Sequence, residues 1–312
     1  MPKIVITDSD FESNDFEFAM ARAANVEIAA FQGPKPQDII RNAADADAIV
    51  TSYGTFTPEV FAALPNLQVV SRTGIGYDTI DVPAATKNKT AVCVVPGYGT
   101  EVVSDHAITL ALCVLRRMNE TDADMRAGIW DYARQFGVVG MGEIGRATAR
   151  KAAGLGFRVI CTSRSLVPGR RTPEGYDIVE YEELLRRADV VSFHTALTPD
   201  TRHMLDAHAI SLMKPDAIVV NTARGAVVDT VALAEALNAG KLWGAGIDVF
   251  ENEPVEGDHP LLSAPHTVLT PHAAYWSEES GEELRRRAMQ AAIDVVSGVR
   301  PMDCLNPEAL RF

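Results

Sequence analysis

Apolar residues along this chain gather into short β-rich runs separated by stretches of helical spacing. In the first hundred residues the runs are Ile4–Thr7, Val26–Ala30, Ala48–Thr51, Val69–Ser71 and Val92–Val95, with helical patterns such as Asp15–Ala24 and Pro58–Leu64 between them. Strands that alternate with helices predict a parallel sheet covered on both faces. A longer helical pattern runs from about Glu101 to Arg117, with Val102, Ile108, Leu112 and Leu115 on its apolar face. From Phe136 a second alternating series begins: Val138–Gly140, Arg158–Cys161, Val190–His194, Ala217–Asn221, Gly244–Asp248 and Val268–Thr270. Six such strands fit a complete doubly wound sheet, not half of one. The last helical stretch, Glu278–Gly298, is too long for a loop and too charged to lie fully buried. No solenoid-period repeat and no low-complexity tract interrupts this pattern, so two α/β domains are expected.

The second series opens on Gly140-Met141-Gly142-Glu143-Ile144-Gly145, a turn between an apolar run and an Ala-rich helical stretch. Gly140 permits the turn, Gly142 lets backbone approach a pyrophosphate, and Gly145 lets helix and strand pack closely. The helix N-terminus adds free N–H groups and a positive dipole end. An acid normally follows about 20 residues later to receive ribose hydroxyls. Here the position reads Cys161-Thr162-Ser163-Arg164, with Arg170 and Arg171 close behind. A hydroxyl and a guanidinium suit a ribose phosphate, so NADP is expected in preference to NAD.

Length and composition narrow the field. The chain has 312 residues, 47% of them hydrophobic, enough for two globular domains. A formal charge of −13 argues against nucleic-acid or anionic-membrane binding as the main business. No apolar stretch is long enough to span a bilayer, and Met1-Pro2-Lys3-Ile4 does not resemble a signal peptide. The cysteines Cys93, Cys113, Cys161 and Cys304 show no metal spacing. The first three lie in apolar runs and read as reduced core thiols in a cytoplasmic compartment. No His-Glu-x-x-His spacing occurs, so no metal is expected.

Three residues downstream of the glycine turn suit nicotinamide-dependent redox chemistry. Arg224 follows the apolar run Val219-Val220-Asn221, and α/β ligands sit at the carboxyl ends of strands. Its planar guanidinium can grip a carboxylate and polarise the neighbouring carbonyl. His272, in Thr270-Pro271-His272, can supply a proton near neutral pH. Glu253, bonded to the far ring nitrogen, would favour the imidazolium and fix its orientation. Taken singly, the alternatives are a surface salt bridge for Arg224, a loop histidine for His272 and a solvated acid for Glu253. His194 ends an apolar run and is expected near a cofactor's rim. The turn Gly74-Ile75-Gly76 can present backbone N–H groups to a carboxylate as a nest does.

Several segments together resemble the D-isomer-specific 2-hydroxyacid dehydrogenase family over nearly the whole chain. They are Thr73–Asp81, Gly140–Gly145, His194–Thr201, Asn221-Thr222-Ala223-Arg224-Gly225, Asp248–Pro254 and Thr270-Pro271-His272. The resemblance implies a Rossmann cofactor domain, 99–277, inserted in a flavodoxin-like substrate domain made of 1–98 and 278–312. Both are doubly wound parallel sheets, with the cofactor expected in the crevice between them. It implies Arg224, Glu253 and His272 as the catalytic set. It further implies cofactor contacts from Gly140 to Gly145 and from Ser163, Arg164, His194, Thr195, Thr198, Thr222, Ala223, Asp248 and His272. Asp248 would face the nicotinamide carboxamide. Substrate contacts would come from Tyr53, Gly54, Gly74, Ile75, Gly76, Arg224, His272 and Tyr275. Tyr53 stands where phosphoglycerate-oxidising relatives carry arginine, which argues against a phosphorylated substrate. A homodimer is the family expectation. Val95–Glu101 and His272–Glu278 look closest to the branch that includes the C-terminal-binding proteins, transcriptional corepressors on the same fold, so a dinucleotide-sensing scaffold is the alternative. The chain departs from the family where Trp130 is followed by only five residues before Phe136.

Overall fold

The structure is a computed structural model that describes residues 1–115 and 141–312. The chain divides into two compact units, Met1–Tyr98 with Ser277–Phe312, and Gly99–Trp276.

In the first unit, five strands form one parallel sheet: β1 (Lys3–Ile6), β2 (Glu27–Ala30), β3 (Ala48–Thr51), β4 (Val69–Arg72) and β5 (Ala91–Cys93). Their order is β2-β1-β3-β4-β5, the flavodoxin-like winding. The helices α1 (Asp15–Ala23), α2 (Pro36–Asn42), α3 (Pro58–Ala63) and α4 (Val82–Lys87) are the crossovers that parallel pairing requires. Three of the four carry Pro in their first turn, where no N–H is lost to the helix. Ile49, Phe56, Phe61, Leu67 and Val70 fill one core of this unit.

The second unit begins with α5 (Thr100–Leu115) and, past the undescribed residues, α6 (Glu143–Gly154). Then come β6 (Ile160–Cys161), β7 (Asp177–Ile178), α7 (Tyr181–Arg187), β8 (Val190–Phe193), α8 (Ala207–Leu212), β9 (Ile218–Asn221), α9 (Thr230–Asn238), β10 (Gly244–Ile247) and β11 (Thr267–Leu269). Strands β11-β10-β9-β8 pair in parallel, and β6 pairs with β7. The described residues form a four-stranded sheet and a two-stranded one, and the expected strand Val138–Gly140 lies outside the described residues. Strand β7, only two residues long, has no sequence signal of its own. Glycines in β10 bring α5 close: a Cβ on Gly246 would sit 2.8 Å from Leu110 Cβ, and one on Gly244 2.6 Å from Val114.

The chain returns to the first unit as α10 (Glu278–Val296), whose start is fixed by a capping box. Ser280 N–H donates to Ser277 Oγ at 3.1 Å, and Ser277 N–H donates to Ser280 Oγ at 2.8 Å. The buried Ser71 hydroxyl donates to the Ala288 carbonyl at 2.6 Å, tying α10 to β4.

Candidate active site

Three loops at the carboxyl ends of β9, β10 and β11 carry Arg224, Glu253 and His272. After β9, Asn221 shapes the first loop. Its Nδ2 donates to the Arg224 carbonyl at 2.9 Å, and its Oδ1 accepts from Ala223 N–H at 3.0 Å. Arg224 is half-buried, and its Nη1 donates to the Ala223 carbonyl at 2.8 Å. The next residue must be glycine, since a Cβ on Gly225 would lie 1.9 Å from the Phe250 carbonyl carbon. That close approach joins the arginine loop to the loop after β10. Glu251 strengthens the join by accepting from the Thr230 hydroxyl at 3.0 Å and bonding His203 Nε2 at 3.0 Å.

Glu253 lies two residues on. One carboxylate oxygen accepts from Phe250 N–H at 2.8 Å, and the other lies 2.6 Å from His272 Nδ1. Burial opposes its charge, but the His272 hydrogen bond and charge, the Phe250 amide and the Arg224 charge together hold its carboxyl below the usual range. The three predicted catalytic residues are therefore electrostatically linked within one unit. His272 itself sits in the left-handed region, at φ 53°, which a non-glycine residue keeps only when its surroundings hold it there. The holder is Asp248. Its carbonyl accepts from His272 N–H at 2.8 Å, and its carboxylate accepts from the amides of Ala273 and Ala274 and from the Thr270 hydroxyl. Asp248 is fully buried, and its carboxylate organises the His272 turn. His106, from α5, bonds the Thr270 hydroxyl at 3.0 Å and lies 3.5 Å from the same carboxylate. Tyr275 meets the His272 ring edge-on at 6.1 Å, and Trp276 beyond it is 52% exposed.

The glycine turn is described from Met141 onward, and Gly140 lies outside the described residues. Gly142 is the N-cap of α6 with no side-chain cap, so the first-turn amides of Glu143, Ile144 and Gly145 are open to an anion. A Cβ on Gly142 would meet nothing within 4 Å, leaving its face clear for a phosphate. Among the described residues the buried Thr222 hydroxyl has no hydrogen-bond partner, which suits a site completed by a ligand. These features fit a dinucleotide. After β6, Ser163 is half-buried and Arg164 exposed. Arg171 is tied to Asp177 at 2.9 Å, so of the basic cluster it is the one already engaged. His194 follows β8 and bonds Ser192 Oγ at 2.9 Å. Part of its surface reaches solvent, yet burial of the imidazole brings its pKa down to about 4, and it is neutral at physiological pH. Thr198 N–H donates to the Thr201 hydroxyl at 2.7 Å, closing the turn after Thr195.

In the first unit, the loops after β3 and β4 carry the predicted substrate residues. Asp8, at the end of β1, fixes the former: it accepts from the hydroxyls of Thr7 and Thr51 and from the amides of Ser52 and Tyr53. Tyr53 is 42% exposed. Gly54 packs where a Cβ would lie 2.3 Å from Thr51 Oγ1, and Gly74 has φ 150°, a conformation that favours glycine. Ile75 is exposed and Gly76 half-buried. Asp8, His106, Asn221, Gly225 and Glu251 position these loops and were not legible as such. Arg-Gly after a strand was the one available signal, for Gly225.

Residues 108–274 match the family described as D-isomer specific 2-hydroxyacid dehydrogenase, NAD binding domain. The chain is 38% identical over 292 residues to a glyoxylate reductase of Korarchaeum cryptofilum, covering 89% of this chain and 88% of the relative. The chain belongs to the D-isomer specific 2-hydroxyacid dehydrogenase family. It is also 35% identical over 310 residues to a D-3-phosphoglycerate dehydrogenase of Mycobacterium leprae, spanning 96% of this chain but 56% of that protein. Among solved structures of the family, an NADPH-dependent glyoxylate/hydroxypyruvate reductase from Sinorhizobium meliloti, in complex with NADP and malonate, superposes with a TM-score of 0.87. That match has 25% identity and covers 100% of this chain and 98% of the other.

Proposed function

We propose that this protein reduces small, unphosphorylated 2-oxo acids to D-2-hydroxy acids with NADPH, and with NADH less well. The observation that carries the reading is the 2.6 Å contact between His272 Nδ1 and Glu253, with Arg224 close enough for its charge to act on that carboxylate. With Nδ1 held by Glu253, Nε2 is the ring nitrogen that presents a proton to the forming alkoxide. Arg224 receives the substrate carboxylate in a fork and polarises the adjacent carbonyl. The bound nicotinamide supplies the hydride. Met141, Gly142, Glu143, Ile144 and Gly145, with Gly140, are assigned to the pyrophosphate, and Thr195, Thr198, Thr222, Ala223 and His194 to the remainder of the cofactor. Gly54 and the Gly74-Ile75-Gly76 turn are assigned to substrate recognition. Tyr275 and Trp276 are assigned to an apolar wall, and Tyr53 brings no charge for a phosphate. The glyoxylate reductase relatives support the same substrate class.

A panel of glyoxylate, hydroxypyruvate, pyruvate and bulkier 2-oxo acids, followed by NADPH or NADH oxidation, tests this reading. Turnover on none of them would overturn it. Cofactor choice rests on Ser163 and Arg164. Loss of a charge-assisted hydrogen bond is worth about 1.5–3 kcal/mol, so Arg164→Ala should move preference toward NADH by roughly tenfold to a hundredfold. Ser163→Asp should do the same by repelling the 2′-phosphate. Unchanged dissociation-constant ratios in both variants would remove the NADP preference. A homodimeric, cytoplasmic enzyme completes the proposal. No described helix is long and apolar enough to cross a membrane.

A further inference from the structure

Cys93 and Cys304 are 211 positions apart in sequence, yet they face each other across an antiparallel bridge in the first unit. Cys93 ends the edge strand β5 and is fully buried; Cys304 lies in the tail after α10 and is half-exposed. Val94 N–H donates to the Asp303 carbonyl at 3.2 Å, and Leu305 N–H donates to the Val92 carbonyl at 2.9 Å. Those two bonds flank the cysteines, which makes them a non-hydrogen-bonded pair. Such pairs have the shorter Cα separation, about 4.5 Å, within the span a disulfide tolerates.

The pairing is held firmly on both sides. Arg287 bonds Asp303 at 2.6 Å and the Pro96 carbonyl at 2.7 Å. Asn306 accepts from Val92 N–H at 2.7 Å and donates to the Thr86 hydroxyl at 2.8 Å. The thiols therefore meet without any rearrangement of the tail.

We propose that Cys93 and Cys304 form a reversible redox site, closing to a disulfide when a peroxide oxidises the protein and reopening with a dithiol reductant. The Cys304 thiolate attacks a peroxide oxygen; an S–O bond forms, the O–O bond breaks and hydroxide leaves. Cys304 is thereby oxidised by two electrons to a sulfenic acid. The Cys93 sulfur then attacks the Cys304 sulfur, the S–O bond breaks, and the hydroxide departs as water with the Cys93 proton. In sum, two thiols and one hydrogen peroxide yield one disulfide and two waters.

The local electrostatics assign these parts. The hydrogen bond from Cys93 lowers Cys304 most, and the backbone at Asn306 and Val92 lowers it further against burial and Glu308, bringing it to about 7. That bond, burial, and the charges of Asp303 and Asp294 push Cys93 up, so Cys304 is the thiol that meets the peroxide first. Burial also raises Cys113, and it raises Cys161 to about 11, so neither competes as a thiolate. The two sites bracket both passages of the chain between its units, at Tyr98–Gly99 and Trp276–Ser277. The disulfide would thus close a covalent loop containing the entire second unit and raise the unfolding temperature.

The test is to treat the whole protein with hydrogen peroxide, block free thiols and denature it. Thiols should fall from four to two per chain, and a proteolytic peptide linking Cys93 to Cys304 should appear, lighter by two hydrogens than its separate parts. Dithiothreitol should restore all four. In Cys93→Ser the sulfenic acid should persist on Cys304 and be trapped by dimedone. Thiol loss in wild type without the linked peptide, or faster modification of Cys113 than of Cys304, overturns the proposal. The wild-type measurement stands even if the variant fails to fold.

Discussion

A proton donor facing a developing alkoxide must be aimed, and one carboxylate aims His272. Glu253 holds Nδ1 at 2.6 Å while Phe250 N–H holds Glu253. His272→Ala should lower kcat by about a hundredfold or more with little change in KM, since a general acid acts as charge develops. Steady-state kinetics on any accepted 2-oxo acid would check this, and near-normal turnover would remove His272 from the mechanism. Arg224→Lys should raise KM and lower kcat together, because lysine cannot reproduce the fork. The types and motifs of these residues were readable, and the resemblance singled out Glu253, but the work of Glu251 was not. Glu251 and Glu253 flank Asn252 symmetrically in sequence. Glu251 is told apart by His203, 48 positions away, and Glu253 by His272, 19 positions away. Partners at such distances are set by the sheet, which local pattern does not encode. The hold of Asp248 on the His272 turn was not readable for the same reason: it depends on the amides of Ala273 and Ala274, brought beside it by the pairing of β10 with β11.

At the scale of elements, two glycines have opposite jobs and should respond differently to alanine. Gly225 is packed against the backbone of Phe250 and Glu251, so a methyl group there must displace the joined arginine and glutamate loops. Overpacking of this kind costs about 1–3 kcal/mol. Gly225→Ala should therefore lower the melting temperature and kcat/KM together. Gly142 has open space where a Cβ would stand and a backbone that alanine can adopt. Gly142→Ala should leave the melting temperature of the cofactor-free protein unchanged and weaken NADPH binding, as measured by fluorescence titration. Equal effects of the two changes on stability would sink this distinction. Strand and helix positions were legible because apolar runs and helical spacing repeat clearly from Ile4 to Val296. Ends shifted by a residue or two, as at His194, which falls just beyond β8. Strand β7 was missed because two residues cannot display a period.

At the scale of the whole molecule, α/β alternation implied parallel sheets, but it could not show that the last helix returns to the first unit. That return depends on contacts such as Ser71 with Ala288, 217 positions apart. The order β2-β1-β3-β4-β5 is likewise a property of crossovers, which periodicity does not report. The fold's burial pattern does make one global prediction, about acid. His194 is held neutral by burial, with its pKa brought down to about 4, whereas an unfolded histidine titrates near 6.5. Below about pH 6.5 the unfolded chain takes up a proton that the folded chain refuses. The stabilisation is thus complete above that pH and is lost as pH falls toward 4, at no more than about 1.4 kcal/mol per pH unit for one proton. Glu251 and Glu253, both held below the usual carboxylate range, add losses of the same sign at lower pH. Trp243 and Trp276 fall in the unit that contains His194, so their fluorescence follows the relevant unfolding. Urea midpoints measured by that signal should drop between pH 7 and pH 5 in the wild type. In His194→Gln, which cannot titrate, the drop should be smaller by about one proton's worth. An identical pH dependence in the two proteins would show that another group governs acid sensitivity.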